Sequence, residues 1–240
     1  KSDALSRLSY VPSSVGRPIG YKAVWVRHAA ESAAGSPNST PKSVTRLRPT
    51  EMHVLGTVGL PGSGKGELAA VAREEGLAVV TMGDVIRRAC RDRDRDPATD
   101  HGAVAKALRE EDGPAAIAER SLPLVREAVD EGDADTVVVD GLRSMVEVEA
   151  FREAFGEAFR IVSVEAPFDL RAERLDARGR DATDSDLEAL RARDERELGF
   201  GMGEVMEAAD YRIENTGSLE AFRERVRELL AAPADLEPSR

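Results

Sequence analysis

One stretch constrains this chain more than any other: Gly59-Leu60-Pro61-Gly62-Ser63-Gly64-Lys65-Gly66. It directly follows the apolar run Val54-Leu55-Gly56-Thr57-Val58 and directly precedes Glu67-Leu68-Ala69-Ala70-Val71-Ala72-Arg73. A strand, a glycine-rich turn and a helix-forming stretch, in that order, are the context a phosphate-binding loop requires. Successive backbone N–H groups line such a turn, and glycine lets the chain approach a phosphate with no Cβ in the way. The helix that follows turns its unpaired N–H groups and positive dipole end toward the anion. Lys65 is placed to reach the β- and γ-phosphates as a flexible point charge. The pattern predicts a nucleoside triphosphate site built from Gly59, Pro61, Gly62, Ser63, Gly64, Lys65 and Gly66.

The general motif carries Ser or Thr after the lysine, where its hydroxyl holds Mg²⁺. Here that position is Gly66, and with Pro61 and Gly62 the loop resembles the adenylate-kinase version, G-x-P-G-x-G-K-G. That version continues with Thr, whereas this chain has Glu67. A carboxylate in the first helical turn suits the dipole but repels a phosphate unless it faces Mg²⁺ or solvent. An ordinary first-turn acid and a metal-linked role both stay open for Glu67.

Composition narrows the class. The chain has 240 residues and 41% apolar content, enough for a core, but only 4% aromatic residues, so that core is aliphatic. Cys90 is the single cysteine, which excludes an internal disulfide framework and leads us to expect a reducing, cytoplasmic setting. His28, His53 and His101 form no metal-ligand spacing, and no apolar run is long enough to span a membrane. Charge is unevenly spread: residues 1–51 carry +5, and the chain from Met52 on carries −16. In that second part Lys65 and Lys106 are the only lysines, the other basic residues being arginine. Such a surface repels nucleic-acid backbones, so nucleic acid and membrane are not expected partners. An acid-rich, lysine-poor chain points to a salt-adapted source.

Residues 1–51 show no sustained period, are rich in Ser, Pro, Gly, Ala and Arg, and read as a low-complexity extension. Met52 stands at the start of the first strand. We expect a domain over 52–231 and a flexible tail over 232–240. Within the domain, strands are predicted at 54–58, 77–81, 136–140, 160–164 and 211–213. Helices are predicted between them, at 67–76, 83–95, 103–111, from Pro114 with a break near Pro123, 145–154, 168–178 and 185–197. Ser218 is placed to N-cap a last helix. Alternating β and α elements predict an α/β three-layer fold whose parallel sheet is covered on both faces, with ligands at the carboxyl ends of the strands.

Three strand ends carry charge. After the second strand, Met82-Gly83-Asp84-Val85-Ile86-Arg87 resembles the T-G-D-x-[LI]-R element of adenylate kinases. The resemblance implies Asp84 near metal and phosphates and Arg87 on the acceptor's phosphate; an N-capping Asp and a solvated Arg remain the alternative. After the third strand comes Asp140-Gly141-Leu142-Arg143. An Asp ending a Val-rich strand suits a Walker-B role, holding Mg²⁺ through water. The same stretch resembles the D-G-[FY]-P-R element, whose Arg binds acceptor phosphate, with Arg143 one residue early. An arginine-rich stretch follows, in which Arg178 and Arg193 are the candidates for stabilising charge on the transferred phosphoryl. Finally Ala209-Asp210-Tyr211-Arg212-Ile213-Glu214-Asn215-Thr216-Gly217-Ser218-Leu219 resembles the segment that ends many nucleotide kinases. There the backbone brackets the base, and Asn215 and Gly217 are the matching positions.

Together with Arg193-Asp194-Glu195-Arg196-Glu197-Leu198-Gly199-Phe200-Gly201, these stretches resemble an archaeal P-loop NTPase family related to adenylate and dephospho-CoA kinases. The resemblance covers residues 52–230. It implies a nucleotide-kinase-like domain with a five-stranded parallel sheet and binding of ATP with Mg²⁺, and it supplies no substrate. The expected activity is phosphoryl transfer to a small, phosphate-bearing acceptor such as a nucleotide or coenzyme precursor. An NTP hydrolase and a nucleotide-dependent switch are the alternatives. Oligomeric state is not legible.

Overall fold

A computed structural model describes residues 52–131, 135–178 and 187–231. The predicted extension and tail lie outside the described residues. Five strands form one sheet in the order β2-β3-β1-β4-β5, every pair parallel. They are β1 (His53–Val58), β2 (Ala78–Thr81), β3 (Thr136–Asp140), β4 (Phe159–Glu165) and β5 (Tyr211–Glu214). The expected α/β fold with a five-stranded parallel sheet is what the chain forms.

Side chains alternate across the strands, and both faces are buried. Val54 and Val58 of β1, Val137 and Val139 of β3, and Phe159 and Ile161 of β4 enter one core. Leu55, Val138, Val162 and Val164 enter the other, with Tyr211 and Ile213 of β5. This period of two, apolar on both sides, is why the strands read as continuous Val-rich runs. The second face is covered by α1 (Lys65–Glu74) and α9 (Leu219–Ala231), which supply Leu68, Val71, Phe222 and Val226. The first is covered by α2 (Met82–Asp92), α3 (Pro97–Asp112), α4 (Ala116–Glu131), α5 (Met145–Phe155) and α8 (Met202–Glu207). Gly56 lies where that face is tightest: a Cβ there would stand 2.5 Å from Leu142 Cδ1 and 2.8 Å from Phe159 Cζ.

Several boundaries differ from the sequence reading, each for a physical reason. The helix expected over 103–111 begins six residues earlier, because Asp96 Oδ1 accepts the Ala98 N–H at 2.9 Å and Pro97 fills the first turn. The helix expected from Pro114 starts at Ala116, with Pro114 in the preceding turn, and it runs unbroken through Pro123. Packing of Ile117, Ala118 and Val125 against the sheet outweighs the lost hydrogen bond there. The helix expected over 83–95 ends at Asp92. The one expected over 185–197 is α7 (Leu187–Gly199). Helix α8 was not foreseen: Gly201 and Gly203 mask a six-residue helix held by buried Met202 and Val205. Ser218 caps α9 as expected, its Oγ accepting the Ala221 N–H at 3.2 Å.

Candidate active site

The loop after β1 closes over the carboxyl end of the sheet. Gly64, at φ 117°, is the N-cap of α1, and a Cβ on it would meet Asn215 Nδ2 at 2.4 Å. Gly59 is as constrained: a Cβ would stand 2.3 Å from the Val164 carbonyl oxygen. Lys65 Nζ donates to the Gly59 carbonyl. The residue keeps partial contact with solvent, but burial around the ammonium pulls its pKa down to about 8. Asp140 and Glu197 oppose that shift, and Arg143 and Arg193 add to it. These four charged side chains therefore surround the lysine.

Each reaches it from a different part of the fold. Asp140 ends β3, in register with Thr57 of β1, and Thr57 Oγ1 donates to Asp140 Oδ1 at 3.0 Å. Arg143 belongs to the turn after β3. Arg193 and Glu197 lie four residues apart on α7, hence on one helical face with Leu190 and Asp194. Helix α7 thus turns an inward stripe over the loop. Asp194 holds it there, making a two-pronged pair with buried Arg171 of α6 (Phe168–Arg178) at 2.9 and 2.6 Å. Arg171 also donates to the carbonyls of Pro61 at 3.0 Å and Ala166 at 3.2 Å, so one guanidinium ties loop, α6 and α7 together.

Beside Lys65 and Asp140 opens a cleft of about 210 Å³ beneath α2 and α3. Its polar lining is Arg87, His101, Arg109, Arg143 and Glu147. Glu147 is 1% exposed, and burial raises its pKa. Its Oε2 accepts the Arg143 N–H at 2.8 Å and its Oε1 lies 3.5 Å from Arg109 Nη2. It thereby fixes the turn that carries Arg143 and the side chain of Arg109. Burial lowers the pKa of His101 first, and the nearby Arg143, Arg87 and Arg109 lower it further, against the backbone of Gly83, which raises it. A larger cavity of about 400 Å³ lies on the other side of the loop, against Leu60, Pro167, Met206 and Thr216. The charged groups converge on the smaller one.

The other candidates are placed as follows. Asp84 is 63% exposed at its side chain and pairs with Arg87 at 2.6 Å, an i,i+3 contact on α2. Glu67 turns toward α9 and pairs with Arg223, which also holds Glu74. Asn215 is buried: its Nδ2 donates to the Ser63 carbonyl at 2.8 Å, and its own carbonyl accepts from Arg174 at 2.9 Å. It braces the phosphate loop from the segment that also contains Gly217. Arg178 ends α6, and its side chain lies outside the described residues.

Sequence reasoning missed His101, Arg109, Glu147, Arg171, Asp194 and Glu197. Ser144-x-x-Glu147 is a capping-box spacing, with Ser144 Oγ accepting the Glu147 N–H, and it could have drawn attention to Glu147. His101 and Arg109 share a helical face with Ala105 and Leu108, which shows only once α3 is seen to start at Pro97.

No helix among the described residues is long and apolar enough to cross a membrane. The chain is similar to the AAA domain family over residues 58–191. It is 56% identical over 181 residues to a UPF0200 protein of Halobacterium salinarum, spanning 75% of this chain and 94% of that protein. It is 43% identical over 189 residues to a UPF0200 protein of Methanosarcina mazei, spanning 78% of this chain and 99% of that one. Among solved structures, TT1252 from Thermus thermophilus superposes with a TM-score of 0.55 at 23% identity, covering 77% of this chain and 99% of that one, which speaks to the fold. The phosphate loop, the parallel sheet behind it and these archaeal relatives converge: the chain belongs to the UPF0200 family of P-loop proteins, with a nucleotide-kinase-like fold.

Proposed function

We propose that this protein transfers the γ-phosphoryl group of ATP to a small anionic acceptor held in the cleft beneath α2 and α3. The observation that supports this reading above others is the convergence of Arg87, Arg109 and Arg143 around His101, in a cleft that also reaches Lys65 and Asp140. From Met52 on the chain carries −16, yet in the lining of this cleft the cations Lys65, Arg87, Arg109 and Arg143 outnumber the carboxylates Asp140 and Glu147. A hydrolase uses water as acceptor and gives such a pocket no anion to hold.

In this reading the loop amides and Lys65 hold the β- and γ-phosphates, and the backbone at Asn215–Gly217 brackets the base beside Arg174. The residues fit Mg²⁺ carried mainly by the phosphates and water. Asp140 is a carboxylate at the phosphate end of β3, steadied by Thr57, and would hold the ion through water. Gly66 offers it no hydroxyl. Asp84 would join that shell only on leaving Arg87. When bound, the ion would supply neutralisation of charge on the triphosphate. Arg193, on the face of α7 turned to Lys65, would meet the charge spread over the transferred group, and Arg178 is the second candidate for that role.

Replacing Arg87 or Arg143 with alanine tests the assignment. ATP affinity should stay close to the parent's. The acceptor's half-saturation should rise about ten- to a hundredfold, because a lost charge-assisted contact costs roughly 1.5–3 kcal/mol. Variants that turn ATP over like the parent, with no acceptor stimulating either, would support the hydrolase instead.

A further inference from the structure

Helix α7 carries two buried carboxylates three residues apart, and they are treated very differently. Asp194 and Glu197 are each 8% exposed. Both oxygens of Asp194 are taken by Arg171 at 2.9 and 2.6 Å. Glu197 Oε2 is buried with no hydrogen-bond partner; Arg143 Nη1 stands 3.4 Å away, near enough to attract it but not aimed to donate. A buried charged oxygen without a donor is costly, and a purely structural pair would be built like the one at Asp194. The unfilled position lies between the two halves of the site. Arg143 lines the acceptor cleft, while Lys65, whose pKa Glu197 raises, marks the phosphate end.

We propose that Glu197 is the general base of the transfer and that the acceptor is an anionic alcohol attacking through its hydroxyl, an inference that rests on the kinase reading above. A nucleophilic phosphate oxygen carries negative charge and no proton, so a carboxylate beside its path repels it. A hydroxyl instead donates the hydrogen bond that Oε2 lacks. In the step, the acceptor oxygen forms its bond to Pγ as the bond from Pγ to the β-bridging oxygen breaks. The electron pair of that broken bond leaves with ADP, and the hydroxyl proton passes to Glu197 Oε2 and then to water. The anionic group of the acceptor is held by Arg87, Arg109 and Arg143, which line the same cleft. Facing Glu197 are Arg143 from the turn after β3 and Lys65 from α1, with Arg193 on its own helix and Asp140 also acting on the lysine.

The test uses the full chain and Glu197→Gln, which keeps the shape and removes the base. The first measurement is single-turnover hydrolysis of MgATP with water as the only acceptor, read across pH. The variant should melt with the parent, bind MgATP within about threefold of it, and hydrolyse about 10²–10⁴-fold more slowly, with the acid limb of the parent's profile gone. The second offers nucleoside monophosphates, sugar phosphates and dephosphorylated coenzymes, and reads the product by phosphorus NMR: a phosphate ester is expected. A variant as fast as the parent, or one rescued by raised Mg²⁺, overturns the assignment of Glu197. A phosphoanhydride product, or a parent that neither hydrolyses nor transfers, overturns the acceptor class. Turnover of several per second without acceptor overturns the kinase reading itself, and the Gln variant shows separately whether Glu197 acts on water.

Discussion

Replacing Asp194 with alanine leaves Arg171 charged, 3% exposed, and held by only two backbone carbonyls. Breaking a buried pair from one side costs about 3–5 kcal/mol, and the surviving bonds to Pro61 and Ala166 place Asp194→Ala near the low end. For a domain of this size that lowers Tm by about 6–12 °C. Arg171→Met should cost about 5 kcal/mol, since it strands the carboxylate and also loses both carbonyl contacts. The double variant Arg171→Met, Asp194→Ala buries no charge at all and should recover to within about 2 kcal/mol of the parent. Urea denaturation of the four proteins reads this cycle, and nucleotide titration reads its consequence. Because Arg171 ties Pro61 to α7, the single variants should bind ATP more weakly even where they remain folded. A cycle in which Asp194→Ala melts within a degree or two of the parent, or the two losses simply add, would refute the strut.

Other outcomes follow from the same geometry. Lys65, with its pKa pulled from 10.5 to about 8, is disfavoured as a cation in the fold, so stability from this group should rise with pH between those values. Phosphate reverses the preference: at pH 8 ATP binding should take up about half a proton, measured by calorimetry in buffers of different ionisation enthalpy. No uptake would show the lysine already fully charged. With −16 on the chain from Met52, Tm should rise from tens of millimolar to molar KCl, and a flat or falling curve would count against a salt-adapted surface. Asn215→Ala leaves the Ser63 carbonyl without its donor, which costs about 1–3 kcal/mol and should loosen ATP about tenfold. Unchanged affinity would separate that brace from the site.

The parts legible in sequence are those fixed by local rules. The phosphate loop needs its glycines within a few residues, and Thr136–Asp140 advertises a strand buried on both faces. What was not legible arises where distant segments meet. Arg109 and Glu147 stand 38 residues apart, and Arg171 meets the Pro61 carbonyl across 110. In a chain where a third of residues are charged, most Arg–Glu pairs are exposed, such as Arg93–Glu111 and Arg227–Glu224. Nothing in composition separates these from Arg171–Asp194; only burial does. The same limit applied to Asp84 and Glu67, whose motif positions do not say which way a carboxylate turns.

The most direct test of phosphoryl transfer to an anionic acceptor is to follow the γ-phosphoryl itself. The full chain is incubated with γ-labelled MgATP, with and without the acceptor panel, and label in inorganic phosphate is separated from label in organic product. At least one anionic alcohol should take the label, with ADP formation stimulated well above the acceptor-free rate and the stimulation lost in Arg143→Ala. Label that appears only in inorganic phosphate, at several turnovers per second and indifferent to every acceptor, would contradict it.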